Sequence, residues 1–329
     1  MAYSRTDFPL YPLHPGFVGA KPIEEASDEV FLELEAKGRL IKQRKRNGHA
    51  AYVSATGRGK RRLALYSRSI KDLTAHFPAL VDELRSMNLP HNTLLAGEML
   101  VQVDGVDSPG AFTSFAGSKP ERAVRLQGES SPVRMVLFNV IVHKGKMVVH
   151  FPYEDRLDIL RNLLAKHSPE RVDLVEVLPE PFAAAKRRSV ASKWEGLVLY
   201  DAKASTEYRL DGKSAQVPRP LGCWKWKDYL EGDFVAIGWI PSTAKSHSGA
   251  VKNFKLWQYS PETGELQYWG KCGTGISRED RFRYANDAWK VFEIKFERRT
   301  PNSRLIGAHI LRERDDKKPE ECIAPPGFS

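Results

Sequence analysis

Apolar residues at Phe77, Leu80, Val81 and Leu84 recur at i, i+3, i+4 and i+7, a spacing that predicts an amphipathic helix. Leu157, Leu160, Leu163 and Leu164 predict a second. A third helix is marked by its ends. Ser27 can cap it, Asp28 and Glu29 suit its first turn, Val30, Phe31 and Leu34 supply an apolar stripe, and Gly38 stops it. Elsewhere the pattern is that of strands. Leu40 and Ile41 begin one that leads to Lys45, and residues 50–54 and 63–66 predict two more. A longer strand over residues 93–103 ends at an Asp104-Gly105 turn, and residues 133–143 pair with 147–151 across Lys144-Gly145. Residues 104–132 and 201–222 are rich in Gly, Ser, Pro and charge and read as surface loops, while the first 25 residues form a Pro-rich arm.

Past a break at residues 228–232 the pattern becomes one of short strands, over 234–240, 254–259 and 266–269. Phe292, Ile294 and Phe296 alternate with Glu293, Lys295 and Glu297, as in a half-buried strand. These observations predict two domains, residues 1–229 and 230–329, of an α+β chain: antiparallel sheets with flanking helices, followed by a small β-barrel. An OB-fold and an SH3-like barrel share this periodicity.

Composition adds a partner class. Lys and Arg outnumber Asp and Glu by 51 to 41 in 329 residues, a formal charge of +10 that favours polyanions. Cys223, Cys272 and Cys322 are too few and too dispersed for a disulfide framework or a four-cysteine zinc site. The nine histidines show no metal-ligand spacing. No apolar run approaches the ~18 residues of a membrane span and no signal-like core follows Met1, so the expectation is a soluble cytoplasmic monomer with no membrane partner.

Several fragments carry candidate chemistry. Lys45-Arg46-Asn47-Gly48 places a lysine before a glycine that permits close backbone approach. An amine attacks a phosphate only when neutral, so nearby positive charge or burial must favour that form. Trp224-Lys225-Trp226-Lys227 offers such charge: in a strand the tryptophans would enter the core and the lysines share the opposite face, either at a phosphate pocket or, on an amphipathic edge strand, in solvent. Glu98 and Glu195 interrupt or precede apolar runs, where an acid is a magnesium or ribose contact or a surface-turn residue. Phe138 lies within an apolar strand and either packs in the core or stacks on a purine. Gly57-Arg58-Gly59-Lys60 lacks P-loop spacing and reads as a basic hairpin tip.

Taken in order, Lys45-Arg46-Asn47-Gly48, Ala96-Gly97-Glu98-Met99, Leu137-Phe138-Asn139-Val140, Glu195-Gly196-Leu197-Val198, Trp224-Lys225-Trp226-Lys227 and Arg314-Asp315-Asp316-Lys317 resemble the motifs of ATP-dependent DNA ligases. Gly270-Lys271-Cys272-Gly273-Thr274-Gly275 is similar to the turn of their second domain. The resemblance implies a nucleotidyltransferase domain followed by an OB-fold, with ATP and Mg2+ as cofactors and nicked double-stranded DNA as partner. It implies that Lys45 is the adenylated nucleophile, that Arg68 contacts phosphate and that Glu98 binds ribose. By the same resemblance Phe138 stacks on adenine, Glu195 is associated with the metal, and Lys225 and Lys227 bind phosphate. Arg314 and Lys317 would orient the ATP pyrophosphate in the first step only. Two positions depart from the family pattern K-x-D-G-x-R: Asn47 replaces the acid and Ala50 the arginine, with Arg44, Arg46 and Arg68 as possible substitutes. Asn139 likewise replaces an aspartate. K-x-N-G occurs in some RNA ligases, so an RNA ligase or a capping guanylyltransferase is the alternative enzyme. A non-catalytic OB-fold nucleic-acid-binding protein is the alternative outside catalysis.

Overall fold

A computed structural model of the chain describes residues 26–55, 63–68, 71–103, 105–129, 132–205, 222–245, 248–286, 289–300 and 304–326. The Pro-rich arm, the basic tip at residues 57–60 and most of the expected loop over 201–222 lie outside these. The described residues through Trp226 form one compact unit and those from Lys227 onward a second. Among them no helix is long and apolar enough to cross a membrane.

The larger sheet of the first unit runs antiparallel from Ala64–Ser67 through His49–Ala55 and Thr93–Leu100 to Arg134–His143. Lys146–Met147 then pairs antiparallel with the last of these strands, and Val172–Leu174 pairs with it in parallel. Helices Pro78–Ser86 and Tyr153–Leu164 cover the sheet, burying Leu80, Val81, Leu84, Leu157 and Leu160 against Val53, Leu95, Met99 and Leu137. Each such side chain contributes about 1.5–3 kcal/mol by leaving water. A smaller sheet joins Leu40–Arg44, Leu197–Asp201 and Cys223–Trp226, with Phe31 and Phe182 packed on it.

A polar relay ties the two sheets together. Gln43 Nε2 donates to Tyr153 Oη at 2.8 Å, and that hydroxyl donates to the carbonyl of Phe138 at 2.8 Å. The Tyr153 ring stacks on Tyr200 with centroids 3.6 Å apart. Buried Arg156 donates to Asn139 Oδ1 at 2.6 Å, so Asn139 supports the core beneath the strand that carries Phe138.

Three expectations change. The stretch read as a loop over 104–132 contains helices Pro109–Gly117 and Pro120–Glu129. Its Gly, Ser and Pro content conceals Phe112 and Phe115, which lie one turn apart and are both buried, while Pro109 and Pro120 occupy first-turn positions where a missing N–H costs nothing. The hairpin return expected over 147–151 is only Lys146–Met147, with Val142 opposite Met147 and His143 opposite Lys146. In the helix Asp28–Ala36 the apolar stripe narrows to buried Phe31 and half-buried Leu34, since Val30 is exposed. The helix Phe182–Ala191 had no counterpart among the predicted elements.

The second unit is built on a five-stranded antiparallel sheet in the order Leu266–Cys272, Val251–Tyr259, Leu230–Pro241, Lys290–Phe296, His309–Glu313. The alternation expected at Phe292, Ile294 and Phe296 holds, and all three join Phe234, Phe254 and Trp269 in its core. A bulge between Ala236 and Trp239 bends the longest strand, with Gly238 at φ +73°.

Candidate active site

Strand Leu40–Arg44 pairs with Leu197–Asp201, with Arg44 opposite Leu197. The ladder continues one step further, as the Lys45 N–H donates to the Gly196 carbonyl at 2.9 Å. That step sets Lys45 against Glu195, and Lys45 Nζ donates to Glu195 Oε2 at 2.5 Å, with both side chains largely withdrawn from solvent. Gly196 has φ +144°, a conformation that side-chain-bearing residues rarely adopt, so the chain turns out of the strand at the residue that presents Glu195.

Gly48 explains the other half of the loop. A Cβ there would lie 2.3 Å from the Met99 carbonyl, 2.5 Å from Leu100 Cδ2 and 2.9 Å from Glu98 Cγ. Only glycine lets the loop pass against the strand Thr93–Leu100, and this passage brings Glu98 to the lysine. Burial pushes the Glu98 carboxyl from 4.5 up to about 7; the Glu195 charge adds to the rise, while Lys45 and the Gly48 N–H oppose it. Lys45, Glu98 and Glu195 therefore form one electrostatic cluster.

Phe138 sits at a slip in register. Ala96 faces Asn139 and Gly97 faces Leu137, so Phe138 has no partner across the strand pair. The ring is half-buried and touches two core clusters. Arg68 is exposed, and its N–H donates to the Ala50 carbonyl at 3.0 Å. Ala50 lies opposite Glu98, so Arg68 stands beside the position where the family pattern has an arginine. Arg44 and Arg46 turn elsewhere, to Asp107 at 3.6 and 2.8 Å.

Lys225 lies opposite Val198, on the strand next to the one that follows Glu195. Trp224 and Trp226, expected in the core, are only half-buried, because Cys223–Trp226 is the edge of a three-stranded sheet. Lys227 lies beyond the strand, in the second unit, where Nζ donates to Glu297 Oε1 at 2.5 Å.

Elsewhere in the second unit, Arg314 Nη1 and Lys317 Nζ converge on Asp233, at 3.0 and 2.6 Å. Arg314 also grips Asp316 with two further bonds, at 2.8 and 2.9 Å, which hold the Asp316 carboxyl down at about 2. The hydrogen bond that Lys317 donates to Asp233 raises the Lys317 ammonium above its ordinary value. In the glycine turn, a Cβ on Gly273 would lie 2.1 Å from the Lys252 carbonyl. Gly275 takes φ +90°, and a Cβ there would lie 2.1 Å from the Ile310 carbonyl. Arg281 closes the turn by donating to the carbonyls of Gly273, Val251 and Lys252. Asp107, which holds the arginines on both sides of Lys45, was not among the residues expected from sequence.

A lysine loop fixed by glycine, an acid on the lysine amine and a second acid beside it put a nitrogen nucleophile next to a group that can take its proton. The family model described as ATP dependent DNA ligase domain matches residues 20–217, more than half the chain, and the chain belongs to that family. It is similar to DNA ligase 1 of Methanosarcina barkeri, 24% identical over 273 residues that cover 77% of this chain and 47% of the relative. It is also similar to the multifunctional non-homologous end joining protein LigD of Mycobacterium bovis, 27% identical over 290 residues, 79% of this chain and 34% of the relative. The chain thus spans a third to a half of these curated relatives. Among solved structures, a Lig E DNA ligase superposes with a TM-score of 0.63 at 18% identity, covering 90% of this chain and 99% of that one. The antiparallel sheets and flanking helices are thereby those of a known ligase fold.

Proposed function

We propose that the chain is an ATP-dependent DNA ligase that seals nicks in duplex DNA through a lysyl-AMP intermediate. The observation that carries this reading is Lys45 Nζ held 2.5 Å from Glu195 Oε2, with Glu98 on the strand against which Gly48 packs. In the first step Lys45 Nζ attacks the α-phosphorus of ATP. A P–N bond forms, the bond from that phosphorus to the bridging oxygen breaks, and pyrophosphate leaves with its electron pair. Glu195 orients the amine and accepts its proton. A DNA 5′-phosphate oxygen next attacks the same phosphorus and releases Lys45. A 3′-hydroxyl then attacks the DNA 5′-phosphorus and expels AMP. Phe138 stacks on adenine, Glu98 takes the ribose, and Arg68 and Lys225 hold phosphate oxygens. Lys227, Arg314 and Lys317 complete the phosphate contacts on the resemblance alone, and the second unit is assigned an OB-fold on the same footing.

Two neighbouring carboxylates suit a magnesium ion, which usually takes one or two acids and fills its shell with phosphate oxygens and water; when bound it would offset charge on the phosphates. Glu195 is the residue assigned to it. Asn47 in place of the usual acid favours a second reading, an RNA ligase. Nicks carrying DNA or RNA on the 3′-hydroxyl side separate the two, since equal or better sealing of RNA would select the second. Incubation with α-labelled ATP and magnesium tests the shared chemistry. The wild type should carry an acid-stable label that Lys45→Ala lacks, and a label that survives in Lys45→Ala would refute the reading.

A further inference from the structure

Asp107 belongs to a small hairpin, Gln102–Val103 paired with Val106–Asp107, and its side chain is only 5% exposed. Each carboxylate oxygen is engaged by the lysine loop. Oδ1 accepts from Arg46 Nη2 at 2.8 Å and from Gln102 Nε2 at 3.2 Å. Oδ2 accepts from the Asn47 N–H at 3.2 Å and lies 3.6 Å from Arg44 Nη2. One buried acid therefore grips the residue before Lys45 and the two after it, while Lys45 itself goes to Glu195. Arg44 is further pinned over the Trp194 ring at 5.0 Å.

We infer that Asp107 is a positioning residue for Lys45, supplying from a distant hairpin the acid that Asn47 does not provide within the loop. The physical case has two parts. Apart from Asp107, the loop is held among the described residues by the Lys45 N–H on Gly196, by Lys45 Nζ on Glu195 and by Gly48, through its N–H on Glu98 and its close fit, and none of these grips residues 46 and 47. In addition, Arg44 and Arg46 are cations that flank Lys45 in the chain, and Lys45 itself lies in a cluster with two acids, Glu98 and Glu195. Released from Asp107, either guanidinium would compete with Lys45 for Glu195. Asp107 thus fixes the backbone and keeps the rival cations off the acid that orients the nucleophile.

The inference rests on Lys45 being the adenylated residue, and the test separates the two claims. Single-turnover labelling at saturating ATP should fall about 100-fold in Asp107→Ala and about 10-fold in Asp107→Asn, which keeps an acceptor but loses the charge. The ATP dissociation constant should change by less than about 3-fold, because the residue positions the amine and does not contact the nucleotide. Sealing of a pre-adenylated nick, which needs no attack by Lys45, should likewise fall less than about 3-fold. If Asp107→Ala does not fold, the double variant Asp107→Asn/Arg46→Gln, which removes one cation together with the acid, carries the same test and should lose labelling selectively. A folded variant that labels at the wild-type rate overturns the inference, as does one that loses labelling, ATP affinity and sealing in parallel. A wild type that never labels would instead refute the proposed function.

Discussion

Replacing Glu98 by Gln should stabilise the protein at alkaline pH and leave acid stability unchanged. Burial raises this carboxyl from 4.5 to about 7 in the folded chain, which corresponds to roughly 3 kcal/mol. Glu98 keeps partial contact with solvent, and water screens some of that cost, so about 2 kcal/mol is the working figure. The sign follows from proton binding. Well below pH 4.5 the group is protonated in folded and unfolded chains alike and contributes nothing. Between 4.5 and about 7 the unfolded chain gives up its proton first, so rising pH favours unfolding, and above 7 the whole penalty is present. Gln has nearly the same shape, can still accept from the Gly48 N–H, and never ionises. Thermal unfolding of the first unit should therefore give equal midpoints at pH 4, while at pH 8 Glu98→Gln should melt roughly 4–8 °C higher. Parallel midpoint curves from pH 4 to 8 would refute the claim that the acid is held at an energetic cost, and with it the cluster of Lys45, Glu98 and Glu195.

Other outcomes follow from the same geometry. Gly48→Ala puts a methyl within 2.3 Å of the Met99 carbonyl, so it should cost about 1–3 kcal/mol in a denaturant titration and slow labelling about 100-fold; an unchanged labelling rate would mean that the loop need not pass so close. Lys317→Ala should lose self-adenylation yet seal pre-adenylated nicks, and equal loss of both would contradict its assignment to the first step. Sealing should weaken steeply between ~50 and ~200 mM salt if the net charge of +10 serves phosphate contacts, whereas a flat response would place few such contacts in the complex.

Local signals foretold the parts of the fold that are locally determined. Ser27 and Gly38 bracket the first helix, Ser27 in the N-cap position without a side-chain capping hydrogen bond and Gly38 at φ +65° just past its end, because helix ends are set by a few neighbouring backbone groups. The helix at Phe77 to Leu84 and the strand through Phe292 to Phe296 follow from periodicity, since one face of each is buried. The helix Pro109–Gly117 escaped because its residues have poor intrinsic propensity and are held by the burial of Phe112 and Phe115, a tertiary effect. The site divides in the same way. Lys45 and Glu195 could be singled out as residue types at telling places, and the strand ladder brings them together across 150 positions. Nothing local marks Asp107, whose importance arises only when the hairpin at Gly105 folds back on Arg44, Arg46 and Asn47. Likewise Trp224 and Trp226 alternate as core residues should, but alternation cannot reveal that their strand is an edge.

The central claim is that Lys45, held by Glu195, forms a covalent bond to AMP. Peptide mapping after incubation with α-labelled ATP and magnesium tests it most directly. Acid-stable label should appear on the peptide containing Lys45, be lost in Lys45→Ala and be strongly reduced in Glu195→Ala. Label on any other lysine, or none on the folded wild type, would contradict it.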